Sequence, residues 1–298
     1  MQSLSFVLAL AALAACANAG AVSSGRSLNP MVWPMPKLGV ALSPEIIGGD
    51  DADQGEFPHQ VSMQISFLWV IEQHICGATV ISESWVLTAA HCIKGTPWYT
   101  SNFILAGKTN LGRTEEGQQR RDVKKRFVHE KYQWNHNNGV GPFDIGLLLL
   151  KSPLQLSDTV KIARLPVQGA IPSGVAILSG WGSTSTSQTP VMPSQLQKET
   201  LPIISFEDCN AFMEAASQGE ENPLRDTNVC VGYLETKGQG ACSGDSGGPL
   251  IQKDGEDVVV IGATSWGFFP CQDQPAPSVY TRVSAYVDWI QEKMQKNK

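Results

Sequence analysis

Three short segments of this 298-residue chain carry side chains that together can turn a hydroxyl into a nucleophile. The most informative is Gly244-Asp245-Ser246-Gly247-Gly248-Pro249, preceded by Cys242. A serine among small residues suits a tight turn, where glycine reaches backbone angles closed to other residues and amide N–H groups can face a reacting carbonyl. On its own the segment also fits a plain glycine-rich turn. Upstream stand Thr88-Ala89-Ala90-His91-Cys92 and Asp144-Ile145-Gly146-Leu147-Leu148. A serine hydroxyl is a weak nucleophile at neutral pH and needs a base within hydrogen-bond reach. His91 can serve, because imidazole titrates near pH ~6.5. Asp144, buried by the apolar run after it, would fix the ring in one tautomer and stabilise its charged form. His59, His74, His129 and His136 have no comparable context and read as surface or packing residues.

The chain order His91, Asp144, Ser246, carried by three separated motifs, resembles that of secreted serine proteases of the chymotrypsin/trypsin family. The resemblance runs from about Ile46 to the C-terminus. It implies an all-β fold of two six-stranded antiparallel barrels, roughly 46–160 and 161–285, packed together and followed by a C-terminal helix. His91 and Asp144 would come from the first barrel and Ser246 from the second, with the site in the crevice between them. It further implies an oxyanion hole made by the amides of Gly244 and Ser246, and a hydrogen bond from Ser265 to Asp144. Activation would free an α-amino group at Ile46, in Ile46-Ile47-Gly48-Gly49, to pair with Asp245. An α-amine gaining a partner has its pKa raised, so this stabilisation fades at alkaline pH. Glu45 precedes Ile46, where the family normally carries Arg or Lys, so a trypsin-like activator would not cut there.

For substrate selection the resemblance points to Gly240, Ser265, Trp266, Gly267 and Ser278. Gly240, six before Ser246, stands where trypsin-like members have an aspartate, and Ser278 is the other deep position. A floor without charge would leave a buried Lys or Arg unpaired, at a cost of several kcal/mol. Gly267 leaves the mouth open. The pocket is therefore expected to take Phe, Tyr, Leu or Met, with Asp273 as the residue best placed to admit polar or basic side chains. Backbone groups of Ser265 and Gly267 would bond the substrate as an added strand. Lys108 falls where calcium-binding relatives begin their carboxylate set, and an ammonium beside Glu115 and Glu116 opposes a hard cation. No metal or cofactor is expected.

The elements that must position these groups read as short strands. Gln60 to Ile65, Ala78 to Ile81, Trp85 to Thr88, Ile145 to Leu150, Gly174 to Ser179, Val258 to Trp266 and Ser278 to Val283 are rich in β-branched and large apolar residues. A terminal helix is predicted from Tyr286, Val287, Ile290 and Met294, with Ser284 as its N-cap, and a smaller helix after Ser205. Arg120-Arg121-Asp122-Val123-Lys124-Lys125-Arg126 reads as a solvated strand edge. With a net charge of −6 and a pI near 5.4, the chain has no electrostatic footprint for nucleic acid.

Residues 1–19 read as a signal peptide, with an apolar run from Phe6 to Ala15 and Ala17-Asn18-Ala19 before the cleavage point. Leu13-Ala14-Ala15-Cys16 also fits a lipid-attachment box, but no Lys or Arg precedes it. The run is too short to span a bilayer. Residues 20–45, with four prolines and no cysteine, read as a propeptide released on cleavage, and 46–298 as the protease domain. Six cysteines remain in an exported chain, an even number that suggests disulfides, and no pair has zinc-site spacing. The resemblance implies Cys76–Cys92, Cys209–Cys230 and Cys242–Cys271.

These readings give a secreted serine endopeptidase made as a zymogen. Its partners are protein or peptide substrates, an activating protease and protein protease inhibitors, with no nucleic acid or membrane. Two other classes compete. A non-catalytic homologue would bind partners through the same fold, yet all three triad residues and the oxyanion glycine are present. An α/β-hydrolase esterase fails on chain order and on the missing helices between strands.

Overall fold

The computed structural model describes residues 27–30, 46–67, 71–97, 99–133, 141–217, 219 and 221–297. The expected signal peptide, the alternative lipid box and His136 lie outside the described residues, as does the expected propeptide apart from Ser27–Pro30.

In chain order the elements are β1 (Ser27–Pro30), β2 (Asp50–Asp51), β3 (Gln60–Phe67), β4 (Ile71–Ser82), β5 (Trp85–Thr88), α1 (Ala90–Lys94), β6 (Ser101–Ala106), β7 (Gln119–Val128) and β8 (Gly146–Leu150). There follow β9 (Val175–Gly180), β10 (Gln197–Ile204), α2 (Phe206–Ser217), β11 (Asn228–Val231), β12 (Pro249–Asp254), β13 (Asp257–Phe269), β14 (Ser278–Arg282) and α3 (Val287–Lys296). Strands β3-β4-β5-β8-β7-β6 close one antiparallel barrel. Strands β13-β12-β9-β10-β11-β14 close a second through the β13–β14 pairing. The fold is the two-barrel, all-β architecture that the motifs imply. Closure leaves few free strand edges, and β1 and β2 are appended on β13 and β10.

Strand alternation explains how a run such as Gly146-Leu147-Leu148-Leu149-Leu150 is buried throughout. Leu148 and Leu150 join Val61, Met63, Val86 and Ile104 inside the first barrel. Leu147 and Leu149 face the other way, joining Trp85, Leu87, Val260, Val283, Tyr286 and Ile290 in a cluster that seals the barrels and the terminal helix together. The second barrel is filled by Leu178, Leu201, Val231, Leu250, Ile261 and Tyr280, and also by Ile46.

Two local expectations are corrected. The basic stretch 120–126 lies within β7, which is paired on both sides, so it is no sheet edge. Its charges still face solvent, with Arg120 bonded to Glu72 and stacked 3.7 Å from the Phe103 ring centre. Ser284 does not cap α3: its hydroxyl donates to the Ala170 carbonyl (2.5 Å), and Tyr286 holds the cap position without a side-chain bond. Ser205 does begin α2, accepting the Asp208 N–H at 3.0 Å.

Candidate active site

Asp144 arrives at the site through a strained turn. Phe143 adopts φ +64°, a left-handed conformation unusual for a bulky residue, and Asp144 is turned inward at 2 % exposure. One carboxylate oxygen accepts the main-chain N–H of His91 (2.9 Å), a first-turn helix donor with no intrahelical partner. The other accepts His91 Nδ1–H at 2.8 Å and the Ser265 hydroxyl at 2.5 Å. The Asp144 carbonyl also takes the Thr281 hydroxyl at 2.7 Å. One acid from the first barrel is thus held by two strands of the second, β13 and β14. The ring of His91 is fixed with Nδ1 protonated, which leaves Nε2 as the basic nitrogen.

His91 sits on α1, and the Cys76–Cys92 disulfide ties that helix to β4. Because both cysteines are bonded, the cluster Cys76, His91 and Cys92 offers no thiolate to a metal. The loop carrying Ser246 is pressed against the same region. Gly77 N–H donates to the Ser246 carbonyl (2.8 Å), and Gly247 and Gly248 exchange bonds with Thr264. A side chain at Gly247, which has φ +72°, would collide with the Thr88 hydroxyl and the Ala89 amide. Only glycine lets this loop approach the residues just ahead of His91.

Asp245 is buried behind the loop. Its carboxylate accepts the N–H groups of Gly182 (2.8 Å) and Cys242 (2.9 Å). Burial still pushes its pKa up to about 6, since no cation among the described residues offsets the desolvation. Ile46 is fully buried nearby, sharing a cluster with Ala241 and with Tyr280, whose ionisation Asp245 opposes.

Of the residues expected to line the pocket, Gly240 and Ser278 meet, and Trp266 pairs with Val279 beside Ser278. Gly240, Ser265, Trp266, Gly267 and Ser278 are all buried, and the Ser278 hydroxyl accepts Ala241 N–H at 3.1 Å. Asp273 is exposed. The residue that sequence reasoning missed is its neighbour Gln272, which is buried with φ +54°. With its side-chain amide oriented so that both oxygen and nitrogen find partners, the NH₂ donates to the carbonyls of Gln239 (2.9 Å) and Ala276 (3.3 Å). A Cβ at Gly240, where φ is +145°, would lie 2.5 Å from this amide and 2.6 Å from Ser278 Oγ. Gln272 therefore occupies the room a longer side chain at Gly240 would need.

Of the histidines read as packing or surface residues, His59 is a packing residue and His74 is more engaged than that. His74 bridges Ser62 Oγ (2.8 Å) and the Gly244 carbonyl (3.1 Å) and meets Trp181 edge-on. Burial lowers its pKa to about 4, against the pull of the Gly244 carbonyl. His59 is buried, with its pKa also lowered to about 4 by desolvation. Nothing in the local sequence of His74 marks it, because its partner is 170 residues away.

Lys108 turns into its own loop, donating to the Arg113 carbonyl (2.5 Å) and Gln118 Oε1 (3.0 Å). The Glu115 carboxylate is taken by the N–H groups of Thr109 and Asn110. The other two expected disulfides, Cys209–Cys230 and Cys242–Cys271, are formed, the latter joining the loop that carries Ser246 to the chain just beyond β13.

The Trypsin family model matches residues 46–290. Trypsin-1 of Astacus astacus is 36% identical over 247 residues, covering 82% of this chain and 98% of the relative. Trypsin Blo t 3 of Blomia tropicalis is 35% identical over 251 residues, covering 83% of this chain and 85% of the relative. With the family model over most of the chain, these relatives and both barrels in place, the chain belongs to the trypsin family of serine endopeptidases.

Proposed function

We propose that this protein is exported as an inactive precursor and, once cut before Ile46, cleaves peptide bonds after large hydrophobic residues. Ser246 is the nucleophile, His91 the base and Asp144 the acid that orients it. In the attack, His91 Nε2 takes the Ser246 proton as Oγ bonds to the scissile carbonyl carbon. His91 then returns the proton to the leaving amine, and water repeats the sequence on the acyl-enzyme. The oxyanion is received by the amides of Gly244 and Ser246. The single observation that carries this reading is the Asp144 carboxylate, shared between the His91 ring and Ser265.

The neutral floor supports the choice of substrate. Gly240 carries no carboxylate, and Gln272 and Ser278 meet the floor's polar needs among themselves and neighbouring carbonyls. A Lys or Arg entering this slot would lose its water without gaining a counter-ion. Both relatives are named trypsins, so a preference for basic residues is the competing reading. The precursor reading is supported by the burial of Asp245 and Ile46 in the same region, which would bring a new Ile46 α-ammonium to a carboxylate without a cation among the described residues. Export is supported by the three disulfides and by the 1–19 pattern. The activating protease must accept Glu45, and protein inhibitors that present a strand are the other expected partners.

The test has two arms on protein cut before Ile46. A serine-directed phosphonate should label it one-to-one, and Ser246→Ala should abolish both labelling and turnover. Peptides ending in Phe, Leu, Arg or Ala should then rank with Phe and Leu first. Absence of labelling favours the non-catalytic homologue, and preference for Arg overturns the pocket reading.

A further inference from the structure

The uncut chain already contains a strand on the wall assigned to substrate. β13 outruns its neighbour β12, whose pairing ends at Pro249↔Ala263. Beyond that point the β13 edge from Trp266 to Phe269 would be open, and an open edge is a template for any extended backbone. β1 occupies it, antiparallel, with Ser27 opposite Phe269, Leu28 opposite Phe268, Asn29 opposite Gly267 and Pro30 opposite Trp266. We propose that Ser27–Pro30 is a built-in competitive inhibitor. Tethered, it fills the edge a substrate backbone must take; after the cut it is a free ligand for the same edge. This rests on the reading of Ser265–Gly267 as the substrate wall.

The register suits that role. Antiparallel pairs alternate between those that exchange two hydrogen bonds and those that exchange none. Proline has no N–H, so a non-bonding place at Trp266 loses nothing. The alternation then makes Asn29↔Gly267 an exchanging pair, at the glycine expected to bond substrate. Fifteen residues, 31–45, separate β1 from Ile46, enough chain to span up to about 50 Å. A short tether holds such a segment at an effective concentration of about millimolar, so weak intrinsic affinity still keeps the edge occupied. No cysteine lies in 20–45, and cleavage before Ile46 removes the tether completely.

The test uses the full chain with Glu45→Lys, cut before Ile46 by immobilised trypsin and separated from the released segment. A synthetic peptide of residues 20–45 is added back while hydrolysis of a Phe-ended peptide is followed. The expected result is a rise in apparent KM at unchanged kcat, with N-methylation at Asn29 weakening inhibition about tenfold. A scrambled peptide should have no effect. An unchanged KM up to about 1 mM peptide, equal potency of the scrambled sequence, or a fall in kcat at constant KM overturns the proposal. If the cut protein proves inactive, the protease reading fails first. Binding of the 20–45 peptide, read by calorimetry, then still decides whether the edge takes this strand.

Discussion

The Asp245 carboxylate makes stability depend on pH in a direction opposite to that of most acids. In the uncut chain burial raises its pKa from 3.8 to about 6. Between those values the folded state keeps a proton that the unfolded state has released, so stability falls as pH rises through the interval. A gap of about two pKa units is worth about 3 kcal/mol, fully present as destabilisation by pH 7 and absent below pH ~4. Urea unfolding of the uncut chain at pH 4, 5, 6 and 7, beside Asp245→Asn, isolates this group because other titrations cancel in the difference. Relative to the variant, the wild type should lose about 3 kcal/mol across the series. If cleavage before Ile46 frees an α-ammonium that pairs with Asp245, as proposed, the loss should vanish or reverse in the cut protein. A difference that stays constant within about 0.5 kcal/mol in the uncut chain would refute the reasoning, because it would mean the buried carboxylate is already neutralised.

Two further outcomes follow from the site. Ser265→Ala removes one of the two donors on Asp144 Oδ2. Turnover of a Phe-ended peptide should drop about tenfold at unchanged KM, and Ser265→Thr, which keeps the hydroxyl, should restore most of it. Gly240→Asp should not confer cleavage after Arg. Its φ of +145° and its approach to Gln272 and Ser278 cost about 3–5 kcal/mol, a drop in Tm of roughly 10 °C by calorimetry, and adding Gln272→Gly should recover part of it.

What could be read in the sequence is what is carried locally. The triad segments, the strands of dense β-branched residues and the glycines beside Ser246 each advertise themselves within a few neighbours. β5 is legible at Trp85–Thr88, because one buried tetrapeptide sits between the turn at 83–84 and helix α1. β7 was harder: its alternation is hidden by seven charged or amide side chains facing water, and only pairing with β6 and β8 makes it a strand. β1, β10, β11 and β12 are likewise defined by what they pair with. In the site, Gln272 was overlooked in favour of the charged Asp273 beside it. A left-handed backbone angle turns Gln272 inward, and a lone glutamine gives no sign of that. His74 escaped for a similar reason, since its partners are Ser62 and the far carbonyl of Gly244.

The two ends of the trypsin-family domain are exchanged. Ile46, where it begins, is buried in the second barrel, while α3, where it finishes, closes over the first. The first barrel closes from its own strands, but the apolar cluster on its outer face is completed only by the last helix. A growing polypeptide cannot bury that cluster until the final turns of helix have emerged, so native packing there is postponed to the close of synthesis. If the chain is exported as proposed, that delay keeps it threadable through a translocation channel.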